Sequence, residues 1–283
     1  MGLQPVGFAF FLLLGIMKLP FTKMQGLGND YIYIDARARE LTDLPALAHR
    51  LSDRHFGIGG DGIVLITNSP TCDFGMRIFN ADGSEAQMCG NASRCVGKYV
   101  YERGLTRKTT LTLDTLAGVK TLSLHLSEGR VETVSVDMGI PAYLGEVQLA
   151  IGNETFAFER VDMGNPHAVC LTTEAQLLDR VQTVGARIEN HPFFAPERTN
   201  VELVCVRNRH ELDMRVWERG SGETLACGTG ACASVVAARE REMVDNEVVV
   251  HLRGGDLHIT ICPNGHIEMT GKAEFVFSGT IEI

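Results

Sequence analysis

The sequence lacks an excess of basic residues. Its 283 residues include 26 Lys and Arg against 35 Asp and Glu, and the formal net charge is −9. Proteins that bind nucleic acid carry basic surfaces that neutralise phosphates, so no nucleic-acid partner is expected. The field inside a site can oppose the net charge, which leaves room for a small anionic or zwitterionic ligand. The charge balance therefore favours a small-molecule partner.

A membrane-spanning run and a secretory signal are also missing. The segment from Val6 to Met17 is almost continuously apolar, but a bilayer span needs about 20 such residues. A signal peptide needs a basic region before its apolar segment, and no Lys or Arg precedes Lys18. We expect residues 1–17 to be an N-terminal extension, with translation starting at Met17; an anchor or an ordered segment is the alternative. The protein is expected to be cytoplasmic, without membrane association.

The eight cysteines lack the spacing of a metal or redox centre. None forms a CxxC pair, and the closest spacings are Cys89/Cys95 and Cys227/Cys232. Zinc ribbons and thioredoxin-like centres place two residues between their cysteines. A chain of this size builds a core without disulfides. We therefore expect reduced thiols and no metal site.

Short segments with a period of two residues dominate what is present. They are rich in Val, Ile, Thr and Leu and are separated by Gly, Asn and Asp, as strands are. Helical patterns are fewer, so the sequence predicts an α+β fold with mixed or antiparallel sheets. Strands are predicted at Tyr31–Asp35, Gly62–Thr67, Phe74–Phe79, Leu111–Leu116, Val119–Leu126, Val131–Asp137, His167–Leu171, Val201–Val206, Leu212–Trp217, Glu247–Leu252, Asp256–Ile261 and Ala273–Phe277, with a hairpin turn at 263–265. Helices are predicted at Leu44–Ser52, Gly90–Arg103, Thr173–Asn190 and Gly228–Glu242.

Two of the predicted helices expose an internal repeat. GSEAQMCGNASRCVGKYV begins at Gly83, and GSGETLACGTGACASVV begins at Gly220. When Cys89 is aligned with Cys227, a Glu lies four residues upstream of each and a Gly follows each directly. The repeat distance is about half the chain, which indicates a duplicated domain. Two such domains facing each other would present their Cys-Gly turns across a shared cleft.

A cysteine placed just before a helix is suited to proton transfer. The amide-rich helix start stabilises a thiolate, and such thiols can have a pKa of about 3.5–7.5 instead of about 8.5. The same N–H groups can hold a carboxylate. An amino acid bound between Cys89 and Cys227 would have one sulfur on each face of its α-carbon. One thiolate could then remove the α-proton while the opposite thiol delivers another, without metal or organic cofactor.

A buried structural cysteine is the alternative for either position alone. The correspondence across the repeat favours the catalytic interpretation for Cys89 and Cys227. The remaining cysteines are predicted to be core residues: Cys72, Cys95, Cys170, Cys205, Cys232 and Cys262.

Several polar loops could complete the site. Each alone is also explained by turn chemistry, because Asn stabilises turns. Together, an Arg and several Asn could hold a zwitterionic group away from the reacting carbon. These loop residues are Asn29 in GLGNDY, Asn80 in IFNADGSE, Asn165 and His167 in MGNPH, Asn200 in RTN, and Glu218 and Arg219 in ERGSGE.

The motifs FTKMQGLGNDY, IFNADGSEAQMCGNASR, MGNPH, ERTNVE and WERGSGETLACGTGA, with the terminal EFVFSGTIEI, closely resemble the diaminopimelate epimerase family. The resemblance implies a cofactor-independent epimerase that converts LL-2,6-diaminopimelate to the meso form for lysine and peptidoglycan synthesis. It also implies two pseudo-symmetric domains, each a β-barrel-like sheet around a central helix. One domain would comprise residues 18–133 plus 273–283 and carry Cys89, and the other residues 134–272 and carry Cys227. A homodimer is compatible with the resemblance.

The resemblance also assigns roles by motif. Cys89 and Cys227 would be the catalytic acid/base pair, and His167 and Glu218 would tune or orient the thiols. The reacting carboxylate would be bound by Gly90, Asn91, Gly228 and Thr229. The rest of the substrate would be bound by Asn29, Asn80, Asn165, Asn200, Glu218 and Arg219. No metal and no cofactor is implied.

Two positions depart from the family pattern. Ala92-Ser93 replaces a common Gly-Ala pair, which makes the first helix start slightly less open. Gly62 stands where many members have Gln, which removes one substrate contact.

Alternatives remain at this stage. Another racemase, similar to proline racemase or hydroxyproline epimerase, would also use a pair of cysteines. An isomerase similar to the phenazine-biosynthesis family, or a non-catalytic amino-acid-binding protein, is a further possibility. A pyridoxal-phosphate racemase is not expected, because no Lys lies in a phosphate-cradling context.

Overall fold

The computed structural model describes residues 17–283, so residues 1–16 of the expected extension lie outside the described part of the chain. This part contains an 18-stranded mixed sheet and four α-helices. The α+β prediction is confirmed. The first strands are β1 (Lys18–Gly26), β2 (Asn29–Asp35), β3 (Gly62–Thr67), β4 (Phe74–Asn80), β5 (Glu85–Ala86), β6 (Thr110–Thr115), β7 (Gly118–Ser127) and β8 (Arg130–Asp137).

The remaining strands are given in chain order. They are β9 (Ala142–Ile151), β10 (Glu154–Asp162), β11 (Pro166–Thr172), β12 (Asn200–Asn208), β13 (Glu211–Glu218), β14 (Gly222–Glu223), β15 (Glu247–Leu252), β16 (Gly255–Ile261), β17 (Ile267–Gly271) and β18 (Glu274–Glu282). The helices are α1 (Leu44–Ser52), α2 (Gly90–Glu102), α3 (Val181–Glu189) and α4 (Gly228–Glu240), with 3-10 turns at Ala175–Arg180 and Pro192–Phe194.

The strand pairing repeats itself in two halves. In the first half, β18 pairs with β1, β1 with β2, β2 with β3, β3 with β4, β4 with β6, β6 with β7 and β7 with β8. In the second half, β9 pairs with β10, and the same order continues through β11, β12, β13, β15, β16 and β17. The β2–β3 and β4–β6 pairs are parallel, and so are their counterparts β11–β12 and β13–β15. The expected pseudo-symmetry is therefore present in the topology.

The two halves are joined by an antiparallel ladder between β8 and β17. A large buried cluster includes residues of both α2 and α4, so the central helices share one continuous core. The outer helices cover separate clusters: α1 packs on the first half through Leu47 and Leu51, and α3 on the second through Val184 and Ile188. Each half is thus a sheet with one helix on each face.

The return of the chain to the first half is made by β18, which pairs with β1 from Lys18 to Gln25. The domain boundaries expected from the resemblance, 18–133 plus 273–283 and 134–272, stay a prediction. Among residues 17–283, no helix is both long and apolar enough to cross a membrane.

Candidate active site

Cys89 caps the N-terminus of α2. Its sulfur accepts the backbone N–H of Ala92 at 3.5 Å, and its thiol donates to Asn29 Oδ1 at 3.4 Å. Asn29 is held in turn, because its side-chain amide donates to Asp61 Oδ2 at 2.8 Å. The backbone before the helix is extended, as an N-cap position requires. The Cys-Gly motif therefore folds into a helix start with its sulfur among backbone N–H groups.

Cys227 caps α4 in the same way. Its sulfur accepts the backbone N–H of Gly230 at 3.4 Å and lies 3.5 Å from the hydroxyl oxygen of Thr229. The side-chain amide of Asn165 donates to that hydroxyl oxygen at 3.4 Å. The repeat noticed in the sequence is thus a repeat of local geometry.

Both helix starts pack against Met269 on β17, which is completely buried. A Cβ atom at Gly90 would lie 2.6 Å from Met269 Cε, and one at Gly228 would lie 2.8 Å from Met269 Sδ. A Cβ at either position would displace the end of the Met269 side chain, so glycine allows both helix starts to approach it closely. In addition, the side-chain amide of Asn91 donates to the carbonyl of Ala226 at 3.4 Å. The two Cys-Gly turns therefore converge on one methionine at the junction of the halves.

Burial has a stronger effect on both thiols than the helix starts have. It raises the pKa of Cys89 above its usual value, while N–H bonds from Ala92 and Asn91 act in the opposite direction. Burial raises the pKa of Cys227 well above its usual value, and the carboxylates of Glu218 and Glu202 add to the effect. The expectation of a depressed thiol pKa was wrong, because it considered the helix start without the loss of solvent. Burial therefore favours the protonated form of both sulfurs.

The duplicated topology allows the surroundings of the two thiols to be compared. Tyr31 on β2 is paired with the first residue of β3, and His167 on β11 is paired with the first residue of β12. By the same register, Asn80 at the end of β4 corresponds to Glu218 at the end of β13. Cys89 therefore has a neutral amide where Cys227 has a carboxylate. The two thiols are equivalent in geometry and different in electrostatics.

Glu218 lies close to Cys227. Burial raises the pKa of Glu218, against hydrogen bonds from the Thr224 hydroxyl and the Cys227 thiol that lower it. The structure therefore brings together Cys227, Glu218, Asn165 and Thr229, all of which the sequence selected. His167 joins them, because its Nε2 lies 3.2 Å from Asn165 Oδ1.

Two buried charged residues were missed by the sequence reasoning. Glu202 lies 2.7 Å from His167 Nδ1, and both side chains are completely buried. Arg94 is also completely buried, and its guanidinium donates to Asn91 Oδ1 at 2.9 Å. A charged residue inside an otherwise apolar strand, as in NVELVCV, or inside a small-residue helix start was the available signal.

The other predicted binding residues line adjoining loops. Asn200 donates to the carbonyl of Pro166 at 3.2 Å and accepts the backbone N–H of Arg219 at 2.9 Å. The Arg219 guanidinium donates to the carbonyl of Glu197 at 2.7 Å. Asn80 accepts from the Tyr31 hydroxyl at 3.4 Å. None of these contacts reaches either sulfur, as suits residues expected to hold the distant part of a substrate.

Gly62 has a structural reason for lacking a side chain. A Cβ there would lie 2.2 Å from the carbonyl oxygen of Phe79 and 2.8 Å from a ring carbon of Tyr31. The backbone of β3 therefore packs too closely for the Gln that many family members carry. Ala92, the other departure, is completely buried and still supplies its N–H to Cys89.

All eight cysteines lie in the described region, and all are free thiols. Within residues 17–283, no group of three or more His, Cys, Asp and Glu is placed to hold a metal ion.

Comparison with solved structures shows the same fold in several isomerase-like proteins. A phenazine biosynthesis protein of the PhzF family from Bacillus anthracis has a TM-score of 0.75 at 16% identity, covering 94% of this chain and 100% of that one. A hydroxyproline epimerase from Agrobacterium vitis, with bound trans-4-hydroxy-L-proline, has a TM-score of 0.69 at 15% identity, covering 94% and 93%. At this identity the likeness concerns the fold alone.

Sequence relatives are much closer. A diaminopimelate epimerase from Phocaeicola vulgatus is 50% identical over 278 residues, covering 94% of this chain and 99% of the relative. Diaminopimelate epimerases from Leptospira biflexa and Methanococcus maripaludis are 46% and 47% identical, each covering 94% of this chain and 100% of the relative. The diaminopimelate epimerase family model matches residues 21–144 and 160–276. The chain therefore belongs to the diaminopimelate epimerase family.

Proposed function

We propose that the chain interconverts LL-2,6-diaminopimelate and meso-diaminopimelate by inverting one α-carbon, with Cys89 and Cys227 as the acid/base pair. The observation that carries this mechanism is the convergence of two cysteine-capped helix starts on Met269. Membership of the family supports the substrate. Relatives named diaminopimelate epimerase at 46–50% identity argue against an enzyme similar to proline racemase or to the phenazine-biosynthesis family. The reaction serves lysine and peptidoglycan precursor synthesis.

The reacting carboxylate would lie between the two helix starts. Gly90 and Asn91 open α2, and Gly228 and Thr229 open α4, so the substrate carboxylate would meet backbone N–H groups of both helix starts. Two sets of N–H donors and two helix dipoles favour an anion there. They would stabilise the carboxylate more strongly as the α-carbon loses its proton, because negative charge then moves onto the carboxylate oxygens.

Proton transfer requires one thiolate and one thiol. The thiolate takes the α-proton from one face, and the opposite thiol gives its proton to the other face, which inverts the carbon and exchanges the roles of the sulfurs. The reverse reaction starts from the exchanged state. Glu218 favours the protonated form of both thiols, but Glu202 adds to this effect at Cys227 while Arg94 opposes it at Cys89, so Cys89 is the sulfur that more readily begins as the thiolate.

The remaining polar residues would bind the distal amino acid of the substrate. Asn200 accepts a hydrogen bond from the Arg219 backbone, and Asn29 accepts one from the Cys89 thiol. Asn80 accepts from the Tyr31 hydroxyl, and Asn165 donates to Thr229 beside Cys227. A zwitterion with a carboxylate and an ammonium group needs both donors and acceptors, and this set supplies them.

The mechanism is tested by solvent exchange. Incubation with LL-diaminopimelate in heavy water should give meso product with deuterium at one α-carbon, since the incoming proton comes from a thiol that exchanges with solvent. Cys89→Ala and Cys227→Ala should each lose nearly all epimerisation while remaining folded by circular dichroism. A variant that kept more than a few per cent of activity would remove that cysteine from the mechanism.

A homodimer is part of the proposal. Within residues 17–283, β18 pairs with β1 alone, which leaves one strand edge open. Val276 and Phe277 on β18 are 55% and 48% exposed, and an open edge with exposed apolar side chains is suited to pairing with a second copy. Sedimentation should show a dimer, and Val276→Lys with Phe277→Lys should shift it to monomer. The enzyme is proposed to act in the cytoplasm, which the free thiols support.

A further inference from the structure

Glu202 is a buried carboxylate that the proposed mechanism leaves unused. It lies on β12, its side chain is completely buried, and one oxygen contacts His167 Nδ1 at 2.7 Å. Its second oxygen is buried and has no hydrogen-bond partner within residues 17–283. A buried carboxylate is costly unless it is paired, and half of this one is not. Its position therefore has a use beyond the stability of the fold.

The other half of the molecule provides an internal comparison. By strand register, Glu202 corresponds to Val64 on β3, which is completely buried and apolar. The facing helix residue changes as well. A Cβ at Gly230 would lie 2.6 Å from Glu202 Oε1, whereas the equivalent residue of α2 is Ala92. The second half has thus exchanged Val and Ala for Glu and Gly, and this exchange admits a carboxylate beneath the Cys227 helix start.

A directed series of hydrogen bonds leads from Glu202 to the sulfur. The Glu202 carboxylate and Asn165 Oδ1 can only accept, so His167 donates from Nδ1 to Glu202 at 2.7 Å and from Nε2 to Asn165 at 3.2 Å. The Asn165 amide donates to Thr229 Oγ1 at 3.4 Å. The Thr229 hydroxyl is then left to donate to Cys227 Sγ at 3.5 Å. Each donor points towards the sulfur, and Glu202 binds the imidazole of His167 on the side away from Asn165.

We propose that Glu202 is a positioning residue, whose carboxylate accepts from His167 Nδ1, fixes the orientation of the imidazole and, through Asn165 and Thr229, keeps a hydroxyl donor on the Cys227 sulfur. The proposal rests on the proposed function, since it gives the relay a role in proton transfer. Glu218, the other carboxylate near Cys227, contacts Thr224 instead and lies outside the relay.

Kinetics can test whether Glu202 acts through the relay. Glu202→Met, similar in volume but without a partner for His167, should lower kcat by about 10- to 100-fold. KM should change less than threefold, because Glu202 is buried behind His167. Glu202→Gln should recover most of the loss, because its amide can still hold Nδ1. The variant Glu202→Val/Gly230→Ala, which copies the first half, gives a second way to remove the carboxylate without a cavity.

A double-mutant cycle separates positioning from general damage. Thr229→Val removes the hydroxyl at the end of the relay. If Glu202 acts through that hydroxyl, Glu202→Met should lower kcat by less than twofold in the Thr229→Val background. Multiplicative losses would mean that the two residues act independently, and they would overturn the proposal.

The imidazole of His167 can be observed by NMR, without an activity measurement. In 15N-histidine-labelled protein, the wild-type His167 signals, assigned by comparison with His167→Gln, should show hydrogen on both ring nitrogens. Glu202→Met removes the acceptor of Nδ1 and should shift the Nδ1 signal, whereas Glu202→Gln, whose amide oxygen still accepts from Nδ1, should shift it less. Glu159→Gln is the matched control, because Glu159 is a buried carboxylate of the same half that bonds Tyr143 and Arg241 instead.

The two failures are distinguishable. A wild-type protein without epimerase activity would contradict the proposed function and leave the Nδ1 measurement valid. An active wild type whose His167 Nδ1 signal is the same in Glu202→Met would contradict the role of Glu202 alone.

Discussion

At the scale of single residues, Arg94 is the most unusual charge in the protein. It is the largest side chain that is completely buried among the described residues. Its guanidinium donates to Lys272 O at 3.2 Å, to Asn91 Oδ1 at 2.9 Å and to Met269 Sδ at 3.7 Å. None of these partners is a carboxylate, so burial lowers the pKa of Arg94. The uncompensated positive charge lies beneath the helix starts where the substrate carboxylate would bind.

Replacing this charge should weaken catalysis. Arg94→Met should lower kcat/KM by about 10- to 100-fold, because a positive charge that stabilises the developing anion is removed. Since Arg94 also lowers the pKa of Cys89, the acid limb of the pH profile should move to higher pH. Arg94→Lys keeps the charge and should keep the limb in place. An unchanged limb in Arg94→Met would show that Arg94 serves only to join the two halves.

The raised pKa values of the two thiols predict the pH dependence. Below their pKa both sulfurs are protonated, so kcat/KM should rise about tenfold per pH unit through neutrality as the thiolate fraction grows. The carboxylate of Glu218 raises the pKa of Cys227. Glu218→Gln should therefore move the acid limb to lower pH, whatever it does to the maximal rate. A flat profile between pH 6 and 8 would contradict the proposed thiol pair.

The sequence predicts some residues of the site better than others. Cys89 and Cys227 were recognisable because their helix starts are local and repeated. The direction of their pKa shifts was not, since burial depends on Met269 and on strands far away in sequence. Glu202 and Arg94 were missed because their apolar or small sequence neighbours only hint at burial, and the burial itself depends on packing between elements distant in sequence.

At the scale of elements, local patterns were sufficient for the helices. Leu44–Ser52 matched α1, and the two cysteine helices differ from prediction by one or two residues at their ends. The predicted helix Thr173–Asn190 is divided into a 3-10 segment and α3. The 3-10 segment buries no residue, so no packing holds it in the α conformation.

Six strands of residues 17–283 were missed: β1, β9, β10, β17 and the two-residue strands β5 and β14. Pro20 lies within β1, and proline argues against a strand unless the strand edge allows it. The strand β9 is mostly exposed and buries only Leu149 and Ile151, and β10 has no regular alternation of buried and exposed residues. The partner of β1 is β18 at the far end of the chain, a pairing that no local window can detect.

The approach of α2 and α4 to β17 makes a prediction at this scale. Gly228→Ala would place a Cβ 2.8 Å from Met269 Sδ. Overpacking of this kind costs about 1–3 kcal/mol, and the displaced helix start should also reduce kcat. Met269→Ala added to Gly228→Ala should recover part of the loss of unfolding free energy, measured in urea. Additive losses would show that the clash is absorbed elsewhere.

At the scale of the whole molecule, the buried thiols predict a loss of stability in alkali. Burial raises the pKa of Cys95 and Cys170 to about 11 and that of Cys232 to about 12. Their contribution is complete below the unfolded thiol pKa of about 8.5 and is lost as the pH rises through the folded values. Each thiol should reduce the unfolding free energy by about 1.4 kcal/mol per pH unit in this range.

Urea unfolding between pH 8 and pH 11 measures this slope. Cys232→Ala should make the slope shallower by the share of one thiol, although it also changes the stability at pH 8. Equal slopes for the wild type and Cys232→Ala would mean that Cys232 does not ionise on unfolding.

The pairing of β18 with β1 also affects the order in which the protein can form. The ribosome makes β18 only after every strand of the second half, so β1 emerges long before its outer neighbour exists. Throughout that interval the nascent first half has an unprotected flank, to which a chaperone or another nascent chain could bind. The half that begins the polypeptide is therefore the last to be finished.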